Sequence, residues 1–444
     1  MTGTDLTLDS LSRMMRCNGV DRLYIKFLSP NDNSKNQIYL GPDFSALNIL
    51  PHKGVVTDSD LVGWKRARFK AALDFAWLND QGRCEPAPTA QMVLYPKYPE
   101  IRLSGFLKGC KTAPSELLAS RRPNRILVLG VSPSGNIYGY ATVLETTLGR
   151  ELASKRSSLE QSGVFLELAL AAEEDSKKAI LRVLKSIHEK GWIDSKRLDG
   201  NRNITPCNSP QCGGYTLEAE LGITPNGKAE PDYLGWEVKQ HTVKSWGGFN
   251  SGNPLTLMTP EPSAGLYKEK GVEAFLRRFG YPDKCGREDR INFGGVYRIG
   301  QRVESTKLTL ILDGYDAVKN KITKTDGGLC LVDDNGELAA KWMLVDLMRH
   351  WNRKHAKAVY IPAMRRTEPI RQYCYGADVK VCEGTDFMFL LKAMNESVVY
   401  YDPAVKLENA STKDAKTKRR SQFRIHPADI SSLYNKATVV NLEA

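Results

Sequence analysis

Residues 231–240, Pro-Asp-Tyr-Leu-Gly-Trp-Glu-Val-Lys-Gln, constrain this chain more than any other stretch. Their alternation has the period of a half-buried β-strand, on which successive side chains point to opposite faces. Read as a strand, Leu234, Trp236 and Val238 share one face, and Tyr233, Gly235, Glu237 and Lys239 share the other. The apolar face suits a core, while the opposite face presents a carboxylate and an ammonium side by side. Asp232 lies at the strand mouth, and Gly235 leaves room for approach to the backbone. Upstream, Tyr215–Leu221 reads as a short helical run whose Leu217 and Leu221 turn inward and leave Glu218 available.

Phosphodiester hydrolysis uses such a set. Converging carboxylates hold Mg²⁺, a hard cation that prefers oxygen ligands and keeps several waters. The bound ion offsets charge on the scissile phosphate and acidifies a water. A neighbouring lysine orients that water or stabilises the developing charge. A Glu-x-Lys pair on one strand face is equally familiar as a surface ion pair, so these four residue types leave both readings open.

The rest of the chain divides into two parts. A length of 444 residues exceeds one ordinary core. In the first part, Arg22–Leu28, Gln91–Tyr95, Ile101–Phe106 and Arg125–Val131 read as strands, and Asn136–Val143 follows a Pro-Ser-Gly turn as a hairpin partner. Leu61–Trp77 has helical spacing, with Trp64, Phe69, Leu73 and Trp77 inward; Lys65, Arg66, Arg68 and Lys70 would then form a basic stripe. Leu144–Gln161 reads as a polar helix. The second part begins near Glu173 with an amphipathic helix that stops at Gly191, and continues through apolar runs at Leu255–Met258, Lys307–Leu312, Ala358–Pro362, Phe387–Leu391 and Val398–Tyr401. Leu338–Trp351 reads as a helix among them. Helices and strands mixed in this way predict an α/β fold with a mixed sheet.

Composition narrows the class. Hydrophobic content of 41% and charged content of 26% are those of a globular protein. No apolar run is long enough to cross a membrane, and the first thirty residues lack a signal-peptide pattern, so a cytoplasmic location is expected. Nine scattered cysteines argue against a disulfide framework. Cys207 and Cys212 form the only close pair, and a zinc site would need two more ligands nearby. A net charge of +12 favours a polyanionic partner.

The stretches GWIDSKR (191–197), GGYTLEAELGITPNGKAEPDYLGWEVKQ (213–240) and LTLMTPEP (255–262) together resemble the MvaI/BcnI-type restriction endonucleases. That group is the branch of the PD-(D/E)XK nuclease superfamily close to the mismatch-repair nicking enzyme MutH. The family pattern of a Thr-Leu-Glu helix, a Pro-Asp turn and a Gly-x-Glu-x-Lys strand falls on Glu218, Asp232, Glu237 and Lys239. Trp351–His355 leading into AVYIP, and Gln422–Ile425, are further landmarks, and the resemblance spans about 174–436. It implies a PD-(D/E)XK core over 174–444 that cuts double-stranded DNA with Mg²⁺. In that assignment Asp232, Glu237 and Glu218 hold the metal and Lys239 completes the catalytic set. It also implies action as a monomer through this domain. Residues 1–170, without counterpart in the small enzymes, would then be a mixed α/β domain for recognition, regulation or partner docking. Restriction of foreign DNA is the role expected; a MutH-like strand-nicking enzyme and a nuclease gated through residues 1–170 are the alternatives.

Several basic residues are candidates for DNA contact. His355 stands at a basic helix end, where it could reach a phosphate or a base edge, or simply interact with the helix dipole. Arg365, Arg366 and Arg371, with Tyr373 and Tyr375 close by, are the candidates for base readout, because arginine binds guanine edges bidentately. Lys416, Lys418, Arg419 and Arg420, with Arg424 beyond them, are candidates for phosphate contact; a solvated charge run accounts for the first four equally well.

Overall fold

The computed structural model describes residues 6–30, 36–58, 68–96, 100–120, 122–170, 176–225, 231–247, 249, 253–351 and 354–444. The chain forms two compact units, Met1–Glu173 and Glu174–Ala444. Among the described residues no helix is long and apolar enough to cross a membrane.

The first unit is built on a seven-stranded sheet and a five-stranded sheet. Arg125–Val131 runs antiparallel to both Arg22–Leu28 and Asn136–Val143, the hairpin expected from the Pro-Ser-Gly turn. The expected helix over 61–77 is not formed where the chain is described. Phe69–Ala72 and Asp74–Leu78 are strands. Phe69, Ala71, Leu73, Phe75 and Trp77 are all buried, which is a period of 2. A spacing of four between apolar residues satisfies both that period and a helix, and the buried apolar residues between them, Ala71 and Phe75, decide for the strand. Trp64, Lys65 and Arg66 lie outside the described residues. Arg68 and Lys70 are both bound to Asp58, at 2.5 and 3.0 Å, and do not form a free stripe. The polar helix expected over 144–161 is shorter, Thr147–Ser154, and is followed by a strand at Glu160–Ser162.

The second unit carries the mixed sheet. Helix α1 (Ser176–Glu189) buries Ala179, Ile180, Leu184 and Ile187 and ends before Gly191, whose φ of 65° suits a residue without a side chain. Strand β1 is Trp192–Asp194, α2 is Cys212–Glu220 and β2 is Glu237–Thr242. Helix α3 (Leu344–Trp351) precedes β3 (Lys357–Arg366), β4 (Gln372–Tyr375), β5 (Asp378–Thr385) and β6 (Tyr434–Asn441). The strand order is β1-β4-β3-β5-β6, with β2 also paired to β3. The β2–β3 pair is parallel, setting Glu237 opposite Ala358 and Lys239 opposite Tyr360, and the other pairs are antiparallel. Val238, Val359 and Val381 join Ile180, Leu184, Ile187 and Leu217 in one core, so one face of the sheet is closed by α1 and α2. Glu237 and Lys239 stand on the opposite face.

Two further expectations are corrected here. Leu338–Met343 is a strand, and only Leu344–Trp351 is helical. Ala340 and Trp342, two apart and both buried, belong to the strand period. The scatter of the cysteines argues against disulfides, yet Cys207 and Cys212 are joined as one, with Cα atoms 5.7 Å apart and both residues in the core, Cys212 as the first residue of α2.

Candidate functional site

The strand predicted over 231–240 begins only at Glu237. Before it the chain makes a tight turn: Tyr233 and Trp236 exchange both backbone hydrogen bonds, at 2.9 and 2.8 Å. Leu234 and Gly235 at the tip have φ of 47° and 81°, the pair of positive values such a two-residue turn demands. Leu234 is therefore exposed rather than buried with Val238. Trp236 is fully buried and donates its indole N–H to Ser176 Oγ at 3.2 Å. The turn is also tied down by Asp232, whose Oδ2 accepts the Val238 N–H at 3.0 Å. The carboxylate is thus held beside the first residues of β2.

From the other side α2 brings Glu218. Thr216 and Leu217 are buried in the core, and Glu218, next on the helix, is half-buried. Gly213 permits the helix to lie this close, since a Cβ there would come within 2.5 Å of the Gln240 side chain. Glu218, Asp232, Glu237 and Lys239 consequently line one cleft of about 240 Å³, together with Tyr215, Ile223, Pro225, Val238 and Lys354. A wider hollow of about 550 Å³ borders α1 at Lys185, His188 and Glu443. There His188 is already bonded to the Tyr375 carbonyl and to Glu443, and no set of groups converges on a reacting position.

Glu237 is the centre of the cleft. Its side chain is 3% exposed, and its Oε1 accepts Lys239 Nζ at 2.7 Å. Lys354 Nζ lies 3.6 Å from the same oxygen. Oε2 is buried without a hydrogen-bond partner. A buried carboxylate oxygen left unpaired is costly, and in native proteins such an atom calls for an ion or an ordered water. Burial pushes the Glu237 carboxyl up, and the nearby lysines only partly oppose it. Burial likewise pushes the Glu218 carboxyl up, helped by Asp232 and Glu237, to about 7. For Lys239 burial acts downward, but Glu237 wins and the ammonium is held more firmly than usual. The cleft therefore gathers more carboxylate than ammonium, and part of that charge is relieved by proton uptake.

This imbalance, with the orphaned Glu237 oxygen, fits a divalent cation. Among the described residues no three His, Cys, Asp or Glu side chains are gathered as a complete ligand set. A cation here would draw on few protein carboxylates and keep much of its water, which is the habit of Mg²⁺ rather than of a caged structural ion. Lys354 escaped the sequence reading as a member of the site. It belongs to a run of basic residues after α3, and only the β2–β3 pairing brings it to Glu237.

The other candidates lie elsewhere or are engaged. His355 is fully buried, so it does not offer a surface donor to DNA. Arg365 is exposed at the far end of β3 from Lys239. Arg366 lies over the Trp192 ring at 4.6 Å and binds Gln372. Arg371 donates to the Ser209 carbonyl at 3.2 Å, and Tyr373 and Tyr375 are buried in the core. Arg424 is held by Asp402 at 2.7 Å and by the Pro254 carbonyl at 2.6 Å, which makes it a structural arginine. Lys416, Lys418, Arg419 and Arg420 are exposed, with Lys418 paired to Glu408 at 2.7 Å.

The family model of the MvaI/BcnI restriction endonucleases matches residues 181–434. Among solved structures, restriction endonuclease MvaI in complex with cognate DNA substrate is similar at 17% identity and a TM-score of 0.46, over 60% of this chain and 99% of that one. MvaI in the absence of DNA is similar at 15% identity and a TM-score of 0.34, over 61% of this chain and 99% of that one. None of the curated proteins compared with the chain matches it. With that family model matched over more than half of its length, the chain belongs to the MvaI/BcnI restriction endonuclease family and is a DNA endonuclease.

Proposed function

We propose that this enzyme uses Mg²⁺ to hydrolyse phosphodiester bonds of double-stranded DNA at a specific sequence, in the restriction of foreign DNA, with Asp232, Glu237, Glu218 and Lys239 as its working residues. The observation that carries the reading is the buried, unpartnered Oε2 of Glu237, a carboxylate whose other oxygen meets two lysines and which shares one cleft with two further carboxylates. Asp232 and Glu237 would hold the cation, with Glu218 as a further carboxylate at its edge. When bound, the ion would supply charge neutralisation at the phosphate and an acidified water. Lys239, kept protonated by Glu237, would orient the attacking water or hold a non-bridging phosphate oxygen. Lys354 would add a second positive charge on the same side. Glu218, with a carboxyl raised to about 7, is suited to accept a proton near neutral pH.

The nuclease unit is proposed to act as a monomer, and residues 1–170 to change where or when it cuts rather than how. All the groups assigned to hydrolysis lie in the second unit, which supports that division. The metal assignment is tested by incubating plasmid with enzyme in EDTA, Ca²⁺ or Mg²⁺. Cutting in Mg²⁺ alone is expected, and equal cutting in EDTA would remove the cation from the account.

A further inference from the structure

His355 was a candidate for DNA contact, and its burial removes that role without supplying another. The ring is fully buried and stacks on Trp351, with centroids 4.3 Å apart and planes 17° from parallel. Trp351 is itself fixed, since its indole N–H donates to Thr385 Oγ at 3.1 Å and that hydroxyl donates to the Leu433 carbonyl at 2.7 Å. The His355 backbone N–H continues the turn from α3 by donating to the Trp351 carbonyl at 3.3 Å. The ring plane is thus set by a chain of anchored groups. Stacking covers a ring face and leaves the in-plane nitrogens available, yet neither Nδ1 nor Nε2 has a hydrogen-bond partner.

A neutral imidazole carries one donor and one acceptor. Lys354 is the chain neighbour of His355, and Lys354 Nζ lies 3.6 Å from the same Glu237 oxygen that Lys239 Nζ binds at 2.7 Å, which puts His355 next to the segment that meets the cleft. Burial keeps the ring neutral, and the fields of Lys239 and Lys354 act in the same direction. A neutral imidazole nitrogen can accept from an ammonium that comes within reach. Lys239 has need of such an acceptor. Its Nζ now spends itself on Glu237 Oε1, and a cation held by Glu237 would compete for that carboxylate.

We infer that His355 is a positioning residue: one ring nitrogen accepts a hydrogen bond from the Lys239 ammonium, directly or through one water, when Glu237 is engaged by the cation. The inference rests on the metal site proposed above. The stack on Trp351 fixes the direction of the acceptor, and the acceptor fixes where the lysine stands against the phosphate. A buried polar ring serving only as filler would be replaced without loss by an apolar ring of similar shape.

The test uses the full-length protein with plasmid DNA and Mg²⁺. His355→Phe keeps a ring on Trp351 and removes both nitrogens, His355→Gln restores a polar acceptor, and Asp232→Ala serves as control. The expected result is a ten- to a hundredfold fall in the single-turnover rate for His355→Phe. Its KM and near-UV dichroism should be unchanged, and His355→Gln should recover part of the rate. His355→Phe cutting within threefold of the unsubstituted enzyme overturns the inference, as do two equally slow, folded variants. A second readout is independent of turnover and needs only that His355→Gln fold. In protein labelled with ¹⁵N-histidine, saturating Mg²⁺ should shift one ring nitrogen of His355, its resonance identified by its loss in His355→Gln. An unmoved resonance in an enzyme that cuts overturns this inference alone, whereas cutting by Asp232→Ala would overturn the metal site beneath it.

Discussion

Replacing Glu218 with Gln perturbs the cleft without changing its shape, and the effect on stability can be worked from the structure. The carboxyl is raised from 4.5 to about 7, by burial first and then by Asp232 and Glu237. Between those two values the folded protein binds a proton that the unfolded chain has released. Stability is therefore greatest at the acid end of this window and declines as pH rises through it. A shift of that size corresponds to about 3 kcal/mol at 1.36 kcal/mol per unit. Solvent screening at a half-buried position brings the expected effect to about 1 to 3 kcal/mol. Glu218→Gln cannot ionise, so in EDTA it should match the unsubstituted protein near pH 5 and exceed it by that amount at pH 8. The assay compares thermal midpoints of the two full-length proteins from pH 5 to 8. Taking their difference cancels what the first unit and the histidines contribute. Two parallel curves would refute the reasoning. Saturating Mg²⁺ should narrow the gap at pH 8, because a cation offsets the same repulsion.

Three further outcomes are expected. Asp232→Ala and Glu237→Ala should each slow cleavage by about a thousandfold or more, the equivalent of several kcal/mol of transition-state stabilisation, with folding and duplex binding retained; either variant cutting near the normal rate in a plasmid assay would contradict the metal site. Arg424→Met should cost about 1–3 kcal/mol of stability, because Asp402 and the Pro254 carbonyl lose their donor. It should leave the salt dependence of DNA binding unchanged, whereas Lys416→Ala, Arg419→Ala and Arg420→Ala should each lower that slope by about one if they touch phosphates. A fragment of residues 174–444 should fold by itself, as near-UV dichroism would show, and should still hydrolyse DNA while losing whatever site preference or timing residues 1–170 impose. A soluble fragment without fixed tertiary structure would place the boundary elsewhere.

What could be read before the structure followed from how local the signal was. Strands such as Arg22–Leu28 and Arg125–Val131 carry enough β-forming residues to declare themselves, and α1 carries a full helical period ended by Gly191. Around Phe69, Leu73 and Trp77 the spacing of four suited two periods at once, and pairing with distant strands decided between them. At Leu234 the alternation continued into a residue that the turn puts at positive φ, so the pattern overstated the strand by several residues. Glu218, Asp232, Glu237 and Lys239 are near one another in sequence and were found together. Lys354 arrives by parallel pairing of β2 with β3, and no local pattern announces it. Exposure was the least legible property. Arg371 and Arg424, candidates for DNA contact by residue type, are spent on carbonyls of their own chain, and His355 is walled in by Trp351.

The most direct measurement is to sequence the ends left when the full-length enzyme acts on unmodified plasmid with Mg²⁺. The account predicts discrete ends, all at one recurring sequence and on both strands, and intact plasmid when Asp232→Ala replaces the enzyme. Ends scattered without sequence preference, nicks confined to one strand, or unchanged cutting by Asp232→Ala would contradict it.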